Sequence, residues 1–495
     1  AGQRVLQQVA NTLPAPTVTA TLPEGGQGTD LVPDQGLYAP FSFEVGAATA
    51  VQFPAYTTQG NLIGAGDAGV QYAATRVTQA SCKGDTATLT LATNDPTGRS
   101  IQLVVRPDEN GGAAIQVRAT LVPDTGVATF SDSFDAASDE QFFGFGGHHD
   151  GLSQRGRSVT QWVQQENFGA GPLQVLSDTI PGTGGAYYQF PNGQGATYYS
   201  QALFHSSRPY SFLLENTELA RFKLAYTARP DAWQVSAAAA ELRYVVAPGT
   251  PAQRVATLTA INGRHRLPPE WAIGPTLNRG IRVLSPQADT GDTYYAKVIA
   301  DLARVDADGL PLTSYSIEGW DLMSRTQLAD VVTRLRAKNR HPMTYIRAYA
   351  SVDTGNTEPA SVFTTALQNG YCAKTAVGGC YLFGSPFIGG VALLVDHTDA
   401  ATFAWWRGRV REMLDLGSDG FMQDFGESAM TDMRFANGQT GLSMHNRYPV
   451  DYHAATRAVL EEYRASNAAR AALAGGDYYF FTRAGYSGRP GAAAY

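Results

Sequence analysis

The sequence predicts a two-part molecule: an N-terminal antiparallel β-sandwich over residues 1–265, then a (β/α)8 barrel over residues 266–495, of which about the first five βα units are present. Three observations carry that reading. Up to about residue 260 the chain runs in short alternating or β-branched stretches broken by Gly, Pro, Asn and Asp, the rhythm of antiparallel sheets. After about residue 265 strands alternate with amphipathic helices, which means βα units and a parallel sheet. Last, the apolar run Gly420-Phe421-Met422-Gln423 ends in Asp424, with Glu427 three residues on. Barrel enzymes present catalytic acids at the C-terminal ends of their strands in this way.

In the first half the strand runs include Thr86–Leu91, Ile101–Val105, Tyr210–Leu214 and Ala240–Val246, each suited to a pleated, half-buried surface. In the second half strands are expected at Thr276–Leu284, Leu312–Glu318, Met343–Tyr349, Phe421–Asp424 and Tyr478–Thr482. Helices are expected between them at Tyr294–Val305, Thr326–Lys338, Ala400–Leu416 and Pro449–Ala465. Phe403, Trp406, Val410, Met413 and Leu414 recur at three-to-four spacing and form one buried stripe. A barrel left open after five strands would expose unpaired backbone along an apolar edge. The sequence therefore predicts a further polypeptide segment, after Tyr495 or on a separate chain, that completes the barrel.

Composition narrows the function. At 495 residues the chain exceeds what one core usually organises, and its 52 glycines and 26 prolines favour a turn-rich architecture. A net charge of −7 without a Lys/Arg block gives no electrostatic reason to bind nucleic acid or an anionic membrane. No apolar stretch is long enough to span a bilayer as a helix. Of the three cysteines, Cys372 and Cys380 flank a short loop containing Gly378 and Gly379 and can close a disulfide, leaving Cys82 free. A disulfide fits a secreted or periplasmic setting.

Paired carboxylates at a barrel mouth indicate glycoside or metal chemistry. Metal is the weaker reading, because the eight histidines are scattered and His148-His149 has no matching carboxylate–histidine pattern on one helix face. The order of further segments then decides the matter. Phe143-Gly144-Phe145-Gly146-Gly147, Ile317-Glu318-Gly319-Trp320-Asp321, Tyr345-Ile346-Arg347-Ala348-Tyr349, Asp424-Phe425-Gly426-Glu427, His445-Asn446-Arg447-Tyr448-Pro449 and Phe481-Thr482-Arg483-Ala484-Gly485-Tyr486 occur in that order. Together they resemble glycoside hydrolase family 31, the α-glucosidase-like retaining enzymes, nearest their bacterial sulfoquinovosidase-like branch.

The resemblance implies that Asp424 is the nucleophile, with Glu427 in support, and that Arg483 contacts the glycone hydroxyls. The chemistry agrees: a carboxylate attacks the anomeric carbon while a second carboxylic acid, about 5–5.5 Å away, protonates the leaving oxygen. A neighbouring arginine supplies the charge that favours the ionised nucleophile. The family's acid/base lies beyond the fifth strand, and Ser487 to Tyr495 contain no acidic residue, so the general acid/base is not in this chain. Such a chain is expected to react with activated glycosides and to turn over unactivated ones poorly.

By the same resemblance Glu318, Trp320 and Asp321 fall where the innermost sugar binds, and Gln164, Gln165 and Glu166 where the sandwich sends a loop to the barrel mouth. Gln165 is thus a candidate contact, and Arg347 and His445 are candidate pocket residues. The Arg–Trp pair that reads a sulfonate after the second strand is absent from Asp321–Leu328, which argues against sulfoquinovose. The expected function is a retaining α-glycosidase for α-linked glucosides or related neutral glycosides, with an oligosaccharide or α-glycoside as substrate and no cofactor. The alternatives are an α-transglycosylase of the same family and a non-catalytic carbohydrate-binding protein.

Overall fold

The computed structural model describes residues 6–8, 18–20, 37–52, 62–110, 112–147, 151–163, 197–226, 229–264, 266–281, 289–352, 359–384 and 390–487. Where a two-sheet sandwich was expected, the described strands form one 15-stranded hydrogen-bonded sheet, antiparallel except at one pair. Its long strand Leu62–Lys83 pairs with Ser42–Gln52 over one part of its length and with Thr86–Thr93 over another, so it joins the two halves of the path.

Side chains from the two halves meet in a single aromatic core. Phe134 packs on Phe212 with ring centroids 6.0 Å apart, and Trp233 on Phe204 at 5.1 Å. Edge-to-face pairs of this kind add about 0.5–1.5 kcal/mol each beyond the area they bury. Alternation along Tyr199–Ser206, where every second residue is buried, shows why the strand faces the core on one side only. One feature departs from the all-β expectation: Pro251–Asn262 is a helix, started by Thr250 and Gln253 in a capping box with Pro251 at its first position.

Beyond it lies a five-stranded parallel sheet in sequence order. Its strands are β1 (Thr276–Arg279), β2 (Ser314–Ile317), β3 (His341–Arg347), β4 (Gly420–Asp424) and β5 (Tyr479–Thr482). The connecting helices include α1 (Gly291–Ala307), α2 (Arg325–Ala337), α3 (Ala400–Asp415) and α4 (Arg447–Ser466). The first two begin with capping boxes, Thr290 with Thr293 and Ser324 with Gln327, and Asp399 caps α3 by accepting from the Thr402 amide. Helix α3 buries Thr402, Trp406, Val410, Met413 and Leu414, while Phe403, expected in that stripe, is only partly buried.

Between β3 and α3 the chain adds a small three-stranded antiparallel sheet and the helix Ala360–Asn369, neither of which the periodicity showed. This insertion carries the Cys372–Cys380 disulfide, and Cys82 is free and exposed. The two regions are not cleanly serial. Strand Gly485–Tyr486 follows β5 and returns to pair in parallel with Tyr199–Ser206, and Ala484 and Tyr486 join the aromatic core of the large sheet.

Candidate active site

The parallel sheet sorts its side chains by period two. Tyr315, Ile317, Ile346, Phe421 and Phe480 pack with the helices in one core. The residues between them, Ser316, Glu318, Tyr345, Arg347 and Asp424, therefore belong to the opposite face. Register does the rest: Arg347 lies directly across from Asp424 on the neighbouring strand.

Asp424 is the last residue of β4, and the backbone turns sharply after it. Phe425 has φ 65° and Gly426 φ 128°. At Gly426 a Cβ would also lie 3.2 Å from the Pro449 Cβ, so both conformation and space call for glycine. The left-handed Phe425 costs on the order of 1–2 kcal/mol. Burial of its ring offsets this, with the Arg483 guanidinium 4.4 Å away and the Tyr349 ring at 4.9 Å. Strain held by packing beside a buried carboxylate is a recurrent mark of functional sites.

The turn sets up a charge cluster. Arg483 Nε lies 3.1 Å from Asp424 Oδ1 and Arg483 Nη2 lies 3.5 Å from Glu427 Oε1, so one guanidinium bridges both acids. The guanidinium also lies 4.7 Å from the Tyr198 ring, which immediately precedes the strand Tyr199–Ser206 of the large sheet. The Phe425 amide donates to Asp424 Oδ1 at 2.9 Å and the Tyr345 hydroxyl donates to Oδ2 at 2.5 Å. Burial first, then the charge of Asp424, pushes Tyr345 well above the usual tyrosine value, so the phenol stays protonated and acts as a donor. Glu318 accepts from Asn278 at 3.5 Å. Burial chiefly, with a contribution from Asp424, raises its carboxyl, while Asn278 and Arg347 oppose the shift.

Other expected residues lie elsewhere. Trp320 is 3% exposed, donates its indole N–H to the Tyr345 carbonyl at 2.8 Å and has Arg409 over its ring. This corrects the expected sugar-stacking platform: the ring is part of the core, and its N–H is already used. Asp321 pairs with Arg409 of α3 at 3.4 Å. His445 is wholly buried, stacked on Trp162 at 3.6 Å, with its ring nitrogens 2.6 and 2.7 Å from the carbonyls of Ala429 and Val163. It is corrected from pocket residue to a pin between the two regions. Asn446 beside it bonds the Val163 amide and the Gln161 carbonyl. Gln165, with Gln164 and Glu166, lies outside the described residues, as does His148-His149.

Tyr345 is the residue that sequence reasoning passed over. Its signal was available, since it stands two positions before Arg347 and so shares the face of Asp424. A separate 660 Å³ cleft between the large sheet and residues 440–443 is lined by none of these side chains. Among the described residues no His, Cys, Asp and Glu cluster is arranged to hold a metal ion.

Residues 265–491 match the model of the glycosyl hydrolases family 31 TIM-barrel domain. Residues 265–491 thus carry a family 31 TIM-barrel domain. Among curated family relatives, the sulfoquinovosidase of Escherichia coli is 28% identical over 71% of this chain and 50% of its own length. The isomaltosyltransferase of Sporosarcina globispora is 25% identical over 65% of this chain and 30% of its own. The chain thus spans half or less of the length of these two. Of solved family 31 structures, a sulfoquinovosidase from E. rectale bound to an aza-sugar inhibitor superposes with a TM-score of 0.69 at 18% identity, covering 92% of this chain and 64% of that one. By these matches the chain is similar to sulfoquinovosidases, and its family 31 barrel domain is preceded by a large antiparallel region.

Proposed function

We propose that this chain carries the nucleophile of a retaining α-glycosidase acting on α-linked glucosides or related neutral glycosides. The single observation that carries the reading is Asp424 at the C-terminal end of the fourth parallel strand, bridged to Glu427 through Arg483. In this reading Asp424 forms the glycosyl-enzyme ester, and Arg483 and Glu318 bind glycone hydroxyls. The second carboxylic acid comes from polypeptide beyond β5 or from a separate chain, which completes the barrel. Support for that last part is the share of its relatives' length that the chain spans.

An activated donor tests the nucleophile apart from the acid. With α-glucosyl fluoride, whose leaving group departs without a proton, fluoride release at least stoichiometric with chain is expected, and it is lost in Asp424→Asn. Release no faster than in buffer sinks the reading. A transglycosylase is the second reading, favoured by the isomaltosyltransferase among the relatives. Disaccharide products that grow with added acceptor sugar support it, and monosaccharide alone at every acceptor concentration excludes it. The Cys372–Cys380 pair supports a secreted or periplasmic location; two alkylatable thiols at these positions in protein taken from its native source would argue against it.

A further inference from the structure

The two oxygens of the Asp424 carboxylate have unequal surroundings. Oδ1 accepts from the Phe425 amide at 2.9 Å and faces Arg483 Nε at 3.1 Å. Among the described residues Oδ2 accepts from the Tyr345 hydroxyl alone, at 2.5 Å. A carboxylate oxygen offers two in-plane acceptor sites. The Phe425 amide takes one site of Oδ1 and the Arg483 guanidinium lies against the same oxygen, whereas Oδ2 has the Tyr345 hydroxyl and keeps one site open to the approach of a ligand. Tyr345 is itself fixed, because it sits within β3 and its own carbonyl accepts from Trp320.

We infer that Tyr345 is a positioning residue that makes Oδ2 the attacking atom of Asp424. The inference rests on the proposed role of Asp424 as nucleophile. The remaining lone pair of Oδ2 attacks the anomeric carbon and forms the ester bond. The bond from that carbon to the leaving atom breaks with its electron pair on the leaving group, which takes a proton from the second carboxylic acid or, when activated, departs as an anion. Oδ2 becomes the ester oxygen, a weaker acceptor, and Oδ1 becomes the carbonyl oxygen, still held by the Phe425 amide and Arg483. When water or a sugar hydroxyl attacks in the second step, the electron pair returns to Oδ2 and the Tyr345 hydroxyl stabilises it again. The ring thus fixes the direction of attack in the first step and assists departure in the second.

The test uses the full chain and a 5-fluoro-α-glucosyl fluoride, which traps the ester without needing the acid. Peptide mass spectrometry locates the label. The labelling rate at saturation and the half-saturating concentration are measured for the unchanged chain and for Tyr345→Phe. The expected result is a rate about tenfold lower or more, as for a misaligned nucleophile, with half-saturation within about twofold and an unchanged melting midpoint. A crystal structure of the labelled unchanged chain is expected to show the sugar on the oxygen facing Tyr345. An unaltered rate in Tyr345→Phe, or a sugar on the oxygen facing Arg483, overturns the inference while leaving Asp424 as nucleophile. No label on Asp424 in the unchanged chain overturns the proposed function and this inference with it. If Tyr345→Phe does not fold, the adduct structure still decides.

Discussion

In the large sheet the carboxylate of Asp132 is fully buried among neutral donors: the Gln8 amide, the Tyr244 hydroxyl and the backbone amides of Phe41 and Ser133. In the parallel sheet the buried acids Asp424 and Glu427 share a guanidinium. Burial pushes Asp132 up to about 6 despite its donors. Neutral dipoles only partly replace water around a charge, whereas at the rim of the parallel sheet the acids have a cation as partner. The histidines follow burial in both regions. His397, His445 and His453 in the barrel region are all buried, and burial pulls them down to about 3, 4 and 4. The large sheet has the half-buried His205, also lowered by burial. The large sheet is a packed wall, and the parallel sheet carries two acids and a cation together at its rim.

The sharpest way to break this contrast is at Asp424. Asp424→Asn is expected to lower the rate of covalent labelling on the order of a thousandfold or more. The melting midpoint stays close to that of the unchanged chain, because the amide keeps the shape; labelling that survives removes the functional half of the comparison. In the wall, Trp233→Ala opens a cavity among Phe134, Phe204 and Phe212 and is expected to cost about 3–5 kcal/mol in urea denaturation. A cost below about 1 kcal/mol would mean that the aromatic core does not hold the large sheet together.

Acid should separate the two regions. A histidine with a lowered folded pKa lets the unfolded state bind the proton first, so its stabilisation is complete above the ordinary histidine value of 6.5 and declines as pH falls. Asp132 has the opposite sign: its contribution is complete below 3.8 and is lost as pH rises through about 6. Going from pH 6.5 to 5, the barrel region loses protection through three histidines, while the large sheet loses less through His205 and regains some through Asp132. Hydrogen exchange read by peptide, corrected for intrinsic rate, is expected to rise first in β4, α4 and the segment around His397. Earlier loss in the Asp132 strand would reverse the assignment. The smallest effect is local: Ser324→Ala removes the cap of α2 and is expected to cost about 1 kcal/mol, measurable as a small shift in denaturation midpoint with labelling unaffected.

Much of this molecule was legible in the chain. The five parallel strands and the four main helices between Thr276 and Thr482 followed from period alone, while the insertion between β3 and α3 did not. Asp424 and Glu427 were readable from the end of an apolar strand and Arg483 from the family resemblance, and the structure brings the three together. Trp320 and His445 were misplaced for a common reason. Both sit beside motif residues in sequence, but their surroundings come from afar: the Tyr345 carbonyl for one, and Val163 with Trp162 for the other.

By itself, then, the sequence determined the alternation that makes a parallel sheet and the types of side chain at its C-terminal rim, because both are set by neighbours a few positions apart. Tertiary structure alone decided that Tyr345 caps one oxygen of Asp424, that Arg483 lies between Phe425 of the barrel region and Tyr198 just before a strand of the large sheet, and that Gly485–Tyr486 returns to the large sheet. Each of those contacts joins residues far apart in the chain, and only packing fixes the register and rotamer that bring them within a hydrogen bond or a ring diameter.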